Sequence, residues 1–551
     1  MEHGARLSAN AVRPVTRHPM RVTTATEAAA RDRAAIAAGV PSYALMTAAG
    51  EGAARILLET YAHRLAHGVV LYAGTGNNGG DAYVVAAALA RVGVPVRMHA
   101  VAPPTTPDAQ RAAADAAPWL THGAPTGSEQ VVVDGLLGTG HRGPLREPVR
   151  MALERVELAQ QMGATIVALD LPSGLNATTG EVAEGTVAAA CTITFGTIKR
   201  GLLLRRDVVG RVKVVDIGLD GWADRPGDVD DAAWCYWTGA AFADALPPIA
   251  WNAHKGTRGR IAIVGGAEGM AGAASWAAHG ALRAGAGLVR LAVEDRALPV
   301  VQTLAPQATA ETWEALVGGV VPEDGGDALI PESFDAVAIG PGLGRTAHAL
   351  RVLDHVAWQY RQTPLVLDAD ALNLLVHGAR DHGMAPAGLL AQWASDSPGI
   401  VCTPHPGEFA RLLEAPYPVD WETRAEVLQA FAARAGVTVL LKGAPTLIAT
   451  PDGAPLMVVP HGTPMLATAG SGDVLTGMVV ALCGQGVPPH RAAMIAATVH
   501  GRAAELATAQ AGGVRGTTLD DLLVAVPAAW RALEHPASST TGVLAELPPV
   551  W

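Results

Sequence analysis

Near the C-terminal end, Gly470, Ser471, Gly472 and Asp473 could form an anion cradle with a carboxylate set inside it. Small residues leave backbone N–H groups free to converge. The apolar run from Val474 to Leu482 predicts a helix starting near Asp473, whose positive dipole end points at the same place. A carboxylate among anion-attracting groups suits one task, taking a proton from a hydroxyl that attacks a phosphate. Taken alone, an aspartate here is more commonly an N-cap on a buried helix. The neighbouring motifs favour chemistry.

Several of those motifs sit at strand ends. Val437 to Lys442 predicts a strand with the lysine at its mouth, ahead of Gly443, Ala444, Pro445 and Thr446. The apolar residues before Lys442 bury its stem and leave a cation suited to phosphate. His405 and Glu408 have a metal-like spacing, but Pro404 and Pro406 argue against the helix that a zinc pair uses, so a ligand-shaped loop is expected. Asp368 and Asp370 close the strand from Leu365, and the stretch Asp335–Gly344 is a strand feeding a Gly/Pro turn. Residues 261–264 lead into Gly265–Gly272, where small residues admit either a ligand or close helix packing.

The first half repeats the pattern. The strand Val69–Ala73 runs into Gly74-Thr-Gly-Asn-Asn-Gly-Gly-Asp81. The glycines fit GxGxxG, yet the next strand, 95–101, ends without the acidic residue that a redox dinucleotide site uses for its ribose, so no such site is read here. Two further strands deliver Asp134 and Asp170 to Gly-rich loops, with Ser173 close behind the second. Three such loops on one sheet edge, with Asn78, Asp134, Asp170 and Ser173, make a site of oxygen donors suited to a hard cation rather than zinc.

Positioning these residues takes two α/β domains. At 551 residues, half of them hydrophobic and 17% charged, the chain exceeds one ordinary core. Helices are expected at Thr26–Ala38, with Thr26 as cap, at Tyr43–Leu65 and at Ala82–Arg91. Strands at Cys191–Phe195 and Val212–Ile217 complete the first sheet. Pattern is lost after Gly221, placing a linker near 220–230, where Asp228, Asp230 and Asp231 cluster. The expected layout is a mobile arm over 1–24, a first domain over 25–225 and a second over 230–551. A net charge of −11 without a basic cluster speaks against nucleic acid. No apolar run has membrane-spanning length. Four scattered cysteines read as reduced thiols of a cytoplasmic protein.

The motifs TGNNGGD, VDGLLGTG and DLPSG resemble the YjeF N-terminal, or NAD(P)H-hydrate epimerase, family over about residues 24–219. The resemblance implies a Rossmann-like fold, a potassium ion and a damaged nicotinamide nucleotide as substrate. It implies potassium ligands at Asn78, Asp134 and Ser173. Substrate would lie against Asn77, Asn78, Gly79, Gly80 and Asp81, against Gly138, Thr139, Gly140, His141, Arg142, Gly143 and Pro144, and against Asp170, the candidate for moving protons at the hydrated ring carbon. A related domain occurs in mRNA-decapping scaffold proteins, so a non-catalytic first domain stays open on sequence.

Residues 246–533 resemble the ribokinase-like superfamily, and within it the ADP-dependent NAD(P)H-hydrate dehydratases, through HKG, GGAEGMAGA, GPGLG, DADALN, TPHPGE, KGAPT and AGSGDVLTG. That resemblance implies substrate contacts from Ala273, Gly342, His405 and Asp473, with Asp473 catalytic. It implies ADP contacts from Lys442, Gly443, Ala444, Pro445 and Thr446, and from Thr468, Ala469, Gly470, Ser471 and Gly472, with Mg2+ accompanying the nucleotide. Met465 and Ala469 replace glycines of the family loop. The whole reads as a Rossmann-like parallel-sheet domain followed by a ribokinase-like α/β domain. The expected activity is epimerisation of hydrated NAD(P)H, then ADP-dependent dehydration with release of AMP and phosphate, in a homo-oligomer. A vitamin or sugar kinase carrying a scaffold domain is the alternative.

Overall fold

The computed structural model describes residues 19–122, 129–219, 234–237, 239–317, 333–535 and 542–549. The expected linker and its aspartates at 228, 230 and 231, and most of the expected arm, lie outside these residues. The chain forms two compact units.

The first unit is an eight-stranded sheet. In spatial order its strands are Val543–Leu547, Arg211–Val215, Cys191–Phe195, Thr165–Leu169, Val131–Gly135, Val69–Ala73, Val96–Ala100 and Thr121–His122. All pairs are parallel except the first, which is antiparallel. Val69–Ala73 is buried along its whole length, as a strand covered on both faces must be. Val69, Leu71 and Ala73 pack with residues of the helices Ser42–Leu65 and Asn77–Arg91. Val70 and Tyr72 pack on the opposite face with Ala152, Leu153 and Val156 of Glu147–Gln161. The chain steps one way from Val69–Ala73 to Val96–Ala100 and then back to Val131–Gly135 on the other side. That reversal opens a crevice at the strand C-termini, where open α/β sheets bind ligands.

Four expectations for this unit change. The first helix is Ala25–Ala37, capped by Thr24 and not Thr26, because Thr24 and Glu27 complete a capping box. The helix after Val69–Ala73 starts at Asn77, five residues before Ala82, so the Asn-Asn-Gly-Gly-Asp motif forms its first turns. Residues 20–23, assigned to the arm, form a strand parallel to Ile198–Lys199, with Val22 opposite Ile198 and Thr23 opposite Lys199. The C-terminal strand Val543–Leu547, assigned by position to the second domain, completes the sheet of the first unit.

In the second unit the strands run Thr309–Thr312, Leu288–Val293, Arg260–Val264, Ala336–Ile339, Leu365–Leu367, Ile400–Cys402, Thr438–Leu441, Thr446–Ala449, Leu456–Val459 and Trp234–Tyr236. The first seven are parallel, and the hairpin from Thr438 to Val459 turns antiparallel. The helix Ser471–Gly484 lies on Ala271–Arg283 at very close range. Side chains on Gly280 and Gly477 would overlap the carbonyls of Val474 and Ala277, so glycine sets that approach.

Candidate active sites

In the first unit, the crevice is a cleft of about 890 Å³. Of the expected residues, Asn77, Asn78, Asp81, Gly138, Thr139, Gly140, His141, Arg142, Pro144 and Asp170 line it. Gly79 and Gly80 serve packing instead. A side chain on Gly79 would overlap the Gly74 carbonyl, and one on Gly80 would meet Met46 at 2.6 Å. Gly143 has positive φ, at 73°, and does not line the cleft.

Asp134 and Ser173 are buried at the strand ends. The Asp134 carboxylate accepts from Ser173 N at 2.8 Å, Ser173 Oγ at 2.6 Å and Leu136 N at 3.1 Å. Burial pushes its carboxyl up, against these three hydrogen bonds. Ser173 Oγ in turn accepts from Leu137 N at 2.9 Å. Asn78 donates through Nδ2 to Leu137 O at 2.9 Å and Leu169 O at 3.1 Å, which fixes its side chain. Its Oδ1 is buried and has no hydrogen-bond partner. A buried amide oxygen left without a partner is a donor that a cation can take, and with Asp134 and Ser173 the expected ligands form an all-oxygen set whose chemistry fits an alkali ion. Among the described residues no cluster of three His, Cys, Asp or Glu side chains could hold a metal.

Asp170 has a left-handed backbone, φ 62°, a strained state for a residue with a side chain. Its Oδ1 accepts from Lys199 Nζ at 2.6 Å and Thr194 Oγ1 at 3.0 Å. Lys199 also donates to Thr194 Oγ1 and Phe195 O, each at 2.9 Å. Asp81, on the same cleft, has its carboxyl raised well above the ordinary range by burial and then by the Asp170 charge. Asp32, also on the cleft wall, is raised by desolvation, against Lys199. Sequence reasoning missed Lys199, Thr194 and Asp32. The signal for Lys199 was present: like Lys442, it is a cation following short β-branched residues, here Thr197 and Ile198, although Arg200 stands next to it.

In the second unit the helix with Asp473 begins at Ser471, after Gly470 in a left-handed conformation, φ 96°. The Ser471 amide is taken by Thr468 O at 3.2 Å, which corrects the expectation of three converging amides from 470 to 472. Gly470, Gly472 and Asp473 N–H groups have no acceptor among the described residues, as the first turn of a helix allows. Ser471 Oγ donates to Leu466 O at 2.6 Å and pins the loop. Met465, one of the two departures from the family loop, is buried in the short turn Pro464–Leu466, whereas Ala469 is exposed.

Lys442 is not a free cation. Its Nζ donates to Asp368 Oδ1 at 2.8 Å, and Thr476 Oγ1 donates to Asp368 Oδ2 at 2.6 Å. Burial works against the ammonium, but Asp368 and Glu408 outweigh it and raise its pKa. Asp473 is pushed up to about 7, first by burial and next by the Asp368 charge, with Lys442 opposing. A carboxylate titrating there is matched to proton transfer near neutral pH. Asp370, by contrast, holds a turn, accepting from Gly344 N at 3.0 Å and Arg345 Nε at 2.9 Å.

His405 caps the helix Pro406–Leu413. Its Nδ1 accepts from Gly407 N at 3.0 Å, which leaves the proton on Nε2, 3.4 Å from Glu408 Oε1. Glu408 Oε2 accepts from His405 N at 2.8 Å. The prolines do not forbid a helix here, because Pro406 sits at its first position, where no N–H is required. Ala273 and Gly342 do come together: Gly266 N donates to Pro341 O at 2.9 Å and Ala267 N to Gly342 O at 2.7 Å. A side chain on Gly342 would begin 3.0 Å from the Ala273 side chain. Thr446 Oγ1 donates to Gly443 O at 3.1 Å, closing the Gly443–Thr446 turn, which contains a cis Ala444–Pro445 bond.

Comparisons with known proteins agree with both halves. The model described as YjeF-related protein N-terminus matches residues 42–201, and that described as NAD(P)H-hydrate dehydratase matches 261–527. A bifunctional NAD(P)H-hydrate repair enzyme of Moorella thermoacetica is 33% identical over 550 residues, covering 94% of this chain and 98% of its own. Its counterpart in Escherichia coli is 35% identical over 496 residues, covering 88% of each. Among solved structures, a Bacillus subtilis ADP/ATP-dependent NAD(P)H-hydrate dehydratase co-crystallised with ATP and Mg2+ is 30% identical. It covers 54% of this chain and 98% of its own, with a TM-score of 0.43. With a Rossmann-like epimerase unit and a ribokinase-like dehydratase unit in the same order as these relatives, the chain belongs to the bifunctional NAD(P)H-hydrate repair enzymes.

Proposed function

We propose that the first unit interconverts the two epimers of NAD(P)H hydrate at the Asp170 cleft, and that the second unit removes water from one epimer at the expense of ADP. In the second step the substrate hydroxyl attacks a phosphate of ADP, AMP departs, and the phosphorylated oxygen leaves as phosphate to restore the ring. Phosphate is a far better leaving group than hydroxide, which is the physical reason for spending a nucleotide. Asp473 accepts the hydroxyl proton. The free Gly470 and Gly472 amides face the charge that develops, and one such donor is typically worth about 3–4 kcal/mol. Lys442, held by Asp368, adds a fixed positive charge at the same helix start. Ala273, Gly342 and His405 bind the hydrate, and Gly443–Thr446 and Thr468–Gly472 bind ADP. Mg2+ bound with the nucleotide neutralises phosphate charge, and Asp473 is a carboxylate with no side-chain partner among the described residues.

In the first unit Asn78, Asp134 and Ser173 would hold potassium, which when bound supplies a fixed charge beneath the substrate loop. Asp170 accepts the hydroxyl proton as the C–N bond at the hydroxyl-bearing carbon opens to a carbonyl, the electron pair staying on the ring nitrogen, and returns it when the nitrogen re-adds to the other face. Four free thiols fit a reducing, cytoplasmic setting.

The observation that carries this reading is the Asp473 carboxylate, tuned to about 7, next to unpaired helix-start amides. The test is to supply a mixture of both hydrate epimers with ADP and follow the absorbance of the reduced ring. Full recovery of both epimers is expected. Accumulation of a stable phosphorylated product would instead favour a small-molecule kinase.

A further inference from the structure

We propose that Lys199 and Thr194 form a clamp that positions Asp170 for the epimerase step, a role resting on the reading of Asp170 as the base. Both grip one oxygen. Oδ1 of Asp170 receives Lys199 Nζ at 2.6 Å and Thr194 Oγ1 at 3.0 Å. Oδ2 accepts no hydrogen bond among the described residues and lies 3.6 Å from where a side chain on Gly138 would begin, at the head of the substrate loop. The carboxylate is therefore divided into a held oxygen and a presented one. The backbone cannot fix this orientation unaided, because Asp170 stands in a left-handed conformation that surrounding contacts must maintain.

Lys199 is built to do this. It is 3% exposed and spends its remaining donors on Thr194 and Phe195 O, so its ammonium is fixed in place. The strand that carries it is braced by Met20–Thr23, where Thr23 pairs opposite Lys199 and the hydroxyls of Thr23 and Thr197 lie 2.7 Å apart. The other titratable groups on the cleft are Asp32, Asp81, Asp108, His141, Arg142 and Arg146, with Arg31 and Arg33 flanking Asp32. Three of these are carboxyls, so without Lys199 the Asp170 charge would face like neighbours with its nearest counter-ion gone. Asp170 Oδ2 takes the proton of the substrate hydroxyl as the neighbouring C–N bond opens to leave a carbonyl and an electron pair on the ring nitrogen, and gives it back when that nitrogen re-adds to the other face; Lys199 takes no part in the transfer.

The test is the pH profile of epimer interconversion in the full chain carrying Lys199→Met, which keeps the length of the stem and removes the charge. The acid limb of kcat is expected to move up by at least one pH unit, with kcat at pH 7 down tenfold or more and KM within threefold. Lys199→Arg should restore the limb. Thr194→Val, which keeps the charge and removes one grip, should shift it by less and decides the matter if Lys199→Met does not fold. A limb that stays put in the folded variants overturns the clamp even if activity drops. Absence of interconversion by the unaltered chain would overturn the epimerase reading itself, a separate result.

Discussion

Lys442 donates through Nζ to Asp368 Oδ1 at 2.8 Å, and the same nitrogen lies 3.3 Å from where a side chain on Gly472 would begin. The buried ion pair thus comes up beneath the helix start because residue 472 has no side chain. Gly472→Ala should lower dehydratase kcat/KM at least tenfold while changing stability by no more than about 1 kcal/mol, since alanine is the better helix former. Turnover and thermal unfolding of the same preparation check both halves of this expectation. Epimerase activity should be unaffected.

Asp473→Asn should abolish dehydration and leave epimerisation intact; unchanged dehydratase turnover would refute its role as base. In the unaltered chain dehydratase kcat/KM should rise with pH through about 7, as Asp473 loses its proton. Stability should move the other way. Between the ordinary value of 3.8 and about 7 the folded chain keeps a proton that the unfolded chain has released, so this group's contribution falls as pH rises across that window. Asn removes that fall. Its melting temperature should therefore exceed that of the unaltered chain at pH 8 and match it at pH 4.

His405 has two duties that substitutions can separate. Ala removes the cap on Pro406–Leu413 and should cost about 1 kcal/mol. Asn restores a capping oxygen, so His405→Asn should recover stability in denaturant melts. Affinity for the hydrate should stay weakened in both variants, read as a raised KM.

Asn78 ties the loops after two strands through its amide and offers an unpaired oxygen. Replacing KCl with choline chloride should slow the epimerase severalfold. In Asn78→Ala that difference should vanish, and two carbonyls left without their donor should lower stability by about 1–3 kcal/mol. Persistence of the full salt effect in the variant would remove Asn78 from the potassium site.

Strand positions were the most legible part of the chain. Val69–Ala73 falls where its apolar run puts it, because a strand covered on both faces has to be apolar throughout. Helix starts were harder. Asn77–Asp81 looks like a loop by propensity, yet Gly79 packed on Gly74 and Gly80 on Met46 draw those residues into the first turns. Asp134, Asp170, Asp473 and Lys442 could be singled out because each ends a strand or starts a helix. What each is paired with was not legible. Lys442 meets Asp368 across 74 residues and Lys199 meets Asp170 across 29, and only the assembled sheet brings them together. Thr24 was passed over as a cap because Thr26 stands two residues away, and only the reciprocal bonds with Glu27 decide between them.

The first sheet has its outer strand, Arg211–Val215, completed by Val543–Leu547, with Arg211 and Glu546 in an ion pair at 2.6 Å. During translation the half made first must therefore wait, with an open edge, until Val543–Leu547 follows the strands of the second unit. A premature stop codon just before residue 543 would leave the dehydratase sheet whole and strike the epimerase, the catalyst whose other strands were made first.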